Sequence, residues 1–255
     1  MTCGKHYFSL NNKLALITGG GSGIGFEIAK CFIEYGAKVI ITGRREQALK
    51  DAVTELGSQS DYVVNDVTDL GKLPALVQHI EDTFGAIDIL VNNAGVNMKK
   101  PALDVSDEDF YNIVHTNLNA VFSLTRECAR RMIPRERGSI IMITSMAAYY
   151  GIDRVVAYGA SKTGVEGMIK ILASEFSPAN VRINAIAPGF IETAMMKTAM
   201  NGDPDRIARA MRRTPMGRFG KPSEIGYAAV FLASEASSFI TGTSIPVDGG
   251  NSIGF

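Results

Sequence analysis

Apolar residues fall along this 255-residue chain in two alternating rhythms. Short solid runs such as Leu14-Ala15-Leu16-Ile17, Val39-Ile40-Ile41 and Ile140-Ile141-Met142-Ile143 have the pattern of strands buried on both faces of a parallel sheet. Between them, apolar residues recur at three- and four-residue spacing, as in Ile24, Ile28, Ala29, Phe32 and Ile33, the pattern of a helix that covers a sheet with one face. The runs predict strands at Lys13–Thr18, Val39–Thr42, Asp61–Val64, Ile87–Val91, Gly138–Thr144, Val181–Ala187 and Ser244–Val247. Helical spacing occupies 69–84, a long segment from Ser106 to about Met132, the stretch around Tyr158 through Phe176, and the segment opened by Pro222-Ser223-Glu224. Seven strands alternate with helices, with no internal repeat, low-complexity tract or linker. The expectation is one α/β domain over 13–255, preceded by a short extension over 1–12.

The first strand runs into Gly19-Gly20-Gly21-Ser22-Gly23-Ile24-Gly25, and a helix follows. In that context glycines let the backbone turn sharply and approach a diphosphate, and the helix start supplies free N–H groups and a positive dipole end. The spacing is T-G-x-x-x-G-x-G, through Thr18, Gly19, Gly23 and Gly25, and not the G-x-G-x-x-G fingerprint. A flexible linker would not be wedged between a buried strand and an amphipathic helix, so phosphate cradling is preferred. The second strand ends in Gly43-Arg44-Arg45, where a dinucleotide fold commonly places an acid for the ribose hydroxyls of NAD. Gly43 offers no carboxylate, and Arg44 offers a fork suited to a 2′-phosphate. NADP is therefore expected over NAD, which stays open. The other reading of the two arginines is the start of a solvated helix. Asp66, with Val67 beyond it, closes the third strand and would either accept from an adenine amino group or cap the next helix. Asn92-Asn93-Ala94-Gly95 closes the fourth, where small and amide residues suit a flat cofactor and can tie the sheet edge together.

Tyr158 and Lys162 stand four residues apart, one turn apart on one helical face. A phenol's ordinary pKa of about 10 is too high for ready proton exchange near neutrality, and a neighbouring ammonium would lower it. Tyr158 would then serve as a general acid/base. Ser145 follows the fifth strand, on the rim where open parallel sheets bind ligands. Asn117 interrupts an apolar helix and is expected to bond locally or distort it; on the residues alone, a satisfied core amide is preferred. Residues 190–217 break the strand–helix rhythm, rich in Met (Met195, Met196, Met200, Met211, Met216) and Arg (Arg206, Arg209, Arg212, Arg213). They are read as an irregular lid over substrate, with the arginines on a solvated face.

Composition narrows the partners. Lys+Arg and Asp+Glu number 26 each, so bulk charge points to neither nucleic acid nor an acidic membrane surface. The odd cysteines Cys3, Cys31 and Cys128 lack C-x-x-C spacing, and His6, His79 and His115 are scattered; neither a disulfide framework nor a metal site is expected. No apolar run approaches the roughly 20 residues that span a bilayer, and the first twelve lack a signal-peptide core, which makes the cytoplasm the default.

Taken in order, Thr18-Gly19…Gly23-Ile24-Gly25, Asp66-Val67, Asn92-Asn93-Ala94-Gly95, Asn117, Ser145, Tyr158…Lys162, Pro188-Gly189 with Thr193, and Asp248-Gly249-Gly250 resemble the classical short-chain dehydrogenase/reductase family over residues 13 to 250. The resemblance implies a doubly wound Rossmann fold: a single seven-stranded parallel sheet with helices on both faces. It also implies hydride transfer between a nicotinamide cofactor and a carbonyl or secondary alcohol. Tyr158 would be the proton donor or acceptor, and Ser145 the hydroxyl that orients the substrate oxygen. Lys162 would bond the nicotinamide ribose and lower the Tyr158 pKa, with Asn117 holding a water in a relay through Lys162. The cofactor would lie against Thr18, Gly19, Gly21, Ser22, Gly23, Ile24, Gly25, Arg44, Asp66, Val67, Asn93, Ala94 and Gly95. Pro188, Gly189, Ile191 and Thr193 would meet the nicotinamide. Within the family, Gly43-Arg44 and the stretch Arg213–Gly220 are similar to reductases of sugar acids, such as gluconate 5-dehydrogenase, and to β-ketoacyl carrier-protein reductases. Asn97, Tyr149, Tyr150 and Arg154 are candidate donors to a polar substrate. Arg126, Arg130 and Arg131 would meet an acidic carrier or, as preferred, solvent. A homotetramer or homodimer is implied. A reading of another class, a cofactor-sensing protein without catalysis, is opposed by the intact Ser145, Tyr158 and Lys162.

Overall fold

The computed structural model describes residues 7–194, 196 and 203–254. Its strands are β1 Leu14–Thr18, β2 Lys38–Gly43, β3 Ser60–Val64, β4 Ile87–Asn92, β5 Gly138–Ile143, β6 Val181–Pro188 and β7 Ser244–Val247. All pair in parallel, in the order β3-β2-β1-β4-β5-β6-β7. The helices between them are α1 Gly23–Glu34, α2 Glu46–Leu56, α3 Leu73–Phe84, α4 Asp107–Val114, α5 Ala120–Met132, α6 Val156–Phe176, α7 Pro204–Arg213 and α8 Pro222–Ala233.

The solid apolar runs explain the two layers. Successive side chains of a strand point to opposite faces, so a strand covered on both sides must be apolar at every position. From β1, Ala15 and Ile17 enter a core with Ile28 and Phe32 of α1, Leu49 of α2 and Ile225 of α8. Leu14 and Leu16 enter a second core with Leu73 and Ile80 of α3, Leu124 of α5 and Ile169 of α6. Each such fully buried Leu or Ile contributes about 1.5–3 kcal/mol. Both faces of the sheet are held in this way, which fixes the strand ends that carry the site.

Two expectations are corrected, and a third is refined. The extension does not end at residue 12 as an appendage: residues 1–6 lie outside the described residues, but Leu10 is fully buried in the first core and its N–H bonds Tyr35 O at 2.8 Å. The main-chain bond ties this segment to the residue that follows α1. The expected long helix runs without a break from Asp107 to Met132, and a π-helical turn, His115–Asn119, stands between α4 and α5 at the polar interruption around Asn117. An extra residue in the turn lets the Asn117 side chain leave the helix for other partners. Residues 190–217 are not wholly irregular, because α7 lies within them; Met195 and Met200 lie outside the described residues. No helix among the described residues is long and apolar enough to cross a membrane.

Candidate active site

From β1 the chain moves outward to β2 and β3, then returns to β4 on the other side of β1. That reversal opens a crevice between the carboxyl ends of β1 and β4. Two residues tie its walls together. Thr18 Oγ1 accepts from Asn93 N at 3.1 Å and Ala94 N at 3.0 Å, while Asn93 Nδ2 donates to Thr18 O at 2.9 Å and Gly19 O at 3.2 Å. The Asn-Asn-Ala-Gly stretch does tie the sheet, at the carboxyl ends of the central strands β1 and β4 and not at its edge. The glycines are required by it: Gly19 has φ of +67°, and a Cβ on Gly25 would stand 2.4 Å from Asn93 Nδ2.

The start of α1 is bare. Ser22 precedes it in extended conformation and makes no side-chain cap, so the first N–H groups of the helix face the crevice around Gly21, Gly23 and Ile24. At the ends of β2 and β3, Thr42 Oγ1 and Asn65 Oδ1 are buried with no partner among the described residues. Arg44 is exposed and its guanidinium lies 3.9 Å from Asp66 Oδ2. Asp66 Oδ1 accepts from Thr68 N at 3.0 Å and Thr68 Oγ1 at 2.7 Å, so one oxygen does the local capping work. Partial burial pushes the Asp66 carboxyl up, but the Thr68 hydrogen bonds, with Arg44 and His115 nearby, outweigh it and hold the carboxyl below its ordinary value. A bared helix start, a glycine cradle, orphaned buried oxygens and a flanking guanidinium fit a dinucleotide that carries an extra phosphate.

Ser145, Tyr158, Lys162 and Asn117 converge at the end of β5. Ser145 caps a short 3-10 turn, its Oγ accepting from Ala147 N at 3.2 Å. Its hydroxyl also stands near enough to the Tyr158 phenol to favour the phenolate. Lys162 is buried; its Nζ donates to Ile143 O at 2.7 Å and lies 5.7 Å from the centre of the Tyr158 ring. The expected lowering of the phenol by the ammonium is not seen. Burial pushes the Tyr158 phenol above its ordinary value, opposed by the nearby Ser145 hydroxyl. Burial likewise pushes Lys162 down to about 8. Asn117 is fully buried: Oδ1 accepts from Val96 N at 2.9 Å, and Nδ2 donates to Val96 O at 2.8 Å and Ser161 Oγ at 3.2 Å. Its side chain clamps the segment after Gly95 against α6, which is the core-amide role the residues alone suggest. A cβ on Gly95 would stand 3.2 Å from Asn117 Oδ1 and 3.7 Å from Lys162 Nζ, which places this clamp beside the ammonium.

After β6, Pro188 leads to Gly189, whose N–H bonds Val247 O at 3.0 Å. Ile191 is buried and bridges to Gly220. Thr193 stands over the crevice, its Cγ2 3.8 Å from where a Cβ on Gly23 would lie. The loop after β6 thus overhangs the start of α1. The four candidate substrate donors are not equivalent. Asn97 and Arg154 are exposed. The Tyr149 hydroxyl reaches Ser244 O only at 3.5 Å, and the Tyr150 hydroxyl is taken by Asn251 Oδ1. Sequence reasoning missed the grouping of Tyr150, Arg213 and Asn251, because nothing in local spacing joins residues so far apart. It also missed the buried Asn92–Thr125 pair at 2.9 Å, which fastens β4 to α5.

Comparison with known proteins gives the same picture. The family model described as enoyl-(acyl carrier protein) reductase, a short-chain dehydrogenase model, matches residues 19–252. The 3-oxoacyl-[acyl-carrier-protein] reductase of Chlamydia muridarum is 40% identical over 246 residues, covering 94% of this chain and 98% of the relative. Gluconate 5-dehydrogenase of Gluconobacter oxydans is 38% identical over 246 residues, covering 95% and 96%. Among solved structures, a gluconate 5-dehydrogenase from Burkholderia cenocepacia J2315 in complex with NADP and tartrate superposes with a TM-score of 0.93 at 34% identity, covering 98% of this chain and 99% of that one. With a model matched over nearly its whole length and the crevice and rim residues in place, the chain belongs to the short-chain dehydrogenase/reductase family of oxidoreductases.

Proposed function

We propose that the protein is an NADP-linked oxidoreductase that interconverts a secondary alcohol and a carbonyl on a sugar or sugar acid. The observation that carries this reading is the convergence of Ser145, Tyr158 and Lys162 at the end of β5, on the rim of the glycine crevice. Bound NADP supplies or takes up the hydride. Thr18, Gly19, Gly21, Ser22, Gly23, Ile24 and Gly25 would hold its diphosphate, and Arg44 its 2′-phosphate. Asp66 and Val67 would flank the adenine, Asn93, Ala94 and Gly95 would line the middle of the crevice, and Pro188, Gly189, Ile191 and Thr193 would hold the nicotinamide end.

The chain's own groups handle charge and proton. A substrate oxygen bonded by both hydroxyls sits where negative charge grows during reduction, and fixed donors there stabilise it. Tyr158 delivers the proton to that oxygen and recovers it in the reverse direction. Lys162, buried near the phenol ring, supplies positive charge on the same side. Both polar atoms of the Asn117 side chain are committed, so a water relay to Lys162 would run through the main chain of the π-helical turn. Residues 190–217, hung from Ile191 and Thr193, would act as the lid.

The second reading is reduction of a β-ketoacyl group on a carrier protein, favoured by the similarity to the Chlamydia reductase. The arginines of α5 speak against carrier docking there. Arg126 and Arg130 both pair with Glu127, at 2.9 Å and 3.2 Å, and Arg131 bonds Gln78. The third, a cofactor sensor without turnover, leaves the rim hydroxyls without a purpose. A homotetramer or homodimer in the cytoplasm completes the proposal. NADPH and NADH oxidation measured in parallel with keto sugar acids and with β-ketoacyl thioesters tests it. Turnover only of the thioesters would select the second reading, and tight NADPH binding with no oxidation the third.

A further inference from the structure

We propose that Asn251 is a positioning residue that latches the end of α7 to the loop between Ser145 and Tyr158, and thereby sets how tightly substrate is held. Its part in turnover rests on the oxidoreductase reading above. Asn251 is fully buried, and each of its polar groups is used. Its N–H bonds Asp248 O at 3.1 Å. Its main-chain O accepts from Arg213 Nε at 3.0 Å, Oδ1 accepts from the Tyr150 hydroxyl, and Nδ2 donates to Thr214 Oγ1 at 3.0 Å. Thr214 Oγ1 passes the connection to Ala210 O, 2.8 Å away in the last turn of α7. The Arg213 guanidinium lies over the Tyr150 ring, 3.7 Å from its centre. Met216 N bonds Gly249 O at 3.1 Å and extends the seam.

Three segments therefore meet on one amide: the loop that follows the Ser145 turn, the last turn of the proposed lid, and the loop after β7. Each contact is individually modest, but a buried amide with all partners filled leaves donors and acceptors stranded when any segment moves. Arg213 adds a contact that depends on orientation, since a guanidinium over a phenol face is attracted only while the two stay stacked. The latch touches neither the hydroxyl of Tyr158 nor the glycine crevice. It acts on the walls that would enclose substrate, not on the reacting atoms, which separates its effect on KM from effects on kcat.

The test compares Tyr150→Phe, Asn251→Ala and the double variant with the wild type. Tyr150→Phe keeps the ring under Arg213 and removes only the hydroxyl, so it remains informative should Asn251→Ala fold poorly. Steady-state reduction of a carbonyl substrate at saturating NADPH is expected to show KM raised about tenfold and kcat within about twofold, with the NADPH Kd unchanged. The double variant is expected to be no worse than Asn251→Ala, because both remove one connection. Asn251→Asp, which keeps the acceptor for Tyr150, is expected to recover part of the loss. Hydrogen exchange without substrate is expected to quicken together in 146–155 and 204–216. Unchanged KM, equal losses in kcat and KM, or quickened exchange confined to 248–254 would overturn the latch. A wild type that reduces no carbonyl would instead remove the oxidoreductase reading, and exchange would still decide whether the segments are coupled.

Discussion

Lys162 gives its ammonium to the carbonyl of Ile143, 2.7 Å away, while the ring of Tyr158, one helical turn before it, lies 5.7 Å off. Spacing of four residues places both side chains on one face of α6, but it does not choose the partner of a long flexible amine. The main-chain carbonyl at the end of β5 is a stronger acceptor than a neutral phenol. Burial shifts both groups towards their uncharged forms: it raises the Tyr158 phenol and lowers Lys162 to about 8, which leaves the amine mostly protonated near neutrality.

Tyr158→Phe removes the rim hydroxyl and leaves the crevice untouched. Turnover should fall by about 10²–10⁴-fold with NADPH affinity retained. Initial rates beside a fluorescence titration of the cofactor check both halves, and near-normal rates would mean that another group moves the proton.

Arg44→Asp replaces the exposed guanidinium beside Asp66 with a second carboxylate. Loss of a charge-assisted hydrogen bond to phosphate should weaken NADPH about ten- to a hundredfold and shift preference towards NADH. Parallel titrations decide it; an unaltered NADPH Kd removes Arg44 from phosphate recognition.

Lys162 carries a pH signature in stability. Its folded pKa of about 8 lies below the ordinary 10.5, so the unfolded chain binds more protons between these values. Stability attributable to Lys162 should therefore rise from about pH 8 to about 10.5, by roughly 3 kcal/mol in total. Urea unfolding of wild type and Lys162→Met across that window should show the wild type gaining on the variant as pH rises. A constant difference would contradict the buried, depressed amine.

Thr18→Val keeps the shape of the buried β-branched side chain and deletes the oxygen that accepts from Asn93 N and Ala94 N. Two stranded donors should cost about 2 kcal/mol or more and loosen the glycine turn, lowering cofactor affinity as well. Chemical denaturation and cofactor titration together check this; full stability with full affinity would show that the tie is dispensable.

The legible parts of this protein were those written at short range. The solid apolar runs gave the seven strands to within a residue or two. The glycine stretch between a strand and a helix marked the crevice, and Ser106 begins its helix, where the structure adds a reciprocal cap with Asp109. Asn117 was legible as a local bond or a distortion, with a satisfied core amide preferred, and the structure has both the π-helical turn and the satisfied amide. The helix within 190–217 was obscured because its apolar positions are few among arginines, and Leu10 because one apolar residue has no period.

By itself the sequence determined which segments become strands and helices, which residues stand at strand ends, and the family to which their order belongs, because each of these depends on neighbours a few positions apart. Only the tertiary structure decided that Lys162 turns to Ile143, that Asn117 is spent on Val96 and Ser161, and that Asn251 joins Tyr150 to Arg213. Those outcomes are competitions among hydrogen-bond partners brought together by the sheet, and a buried polar group takes the best acceptor or donor within reach, wherever in the chain it originates.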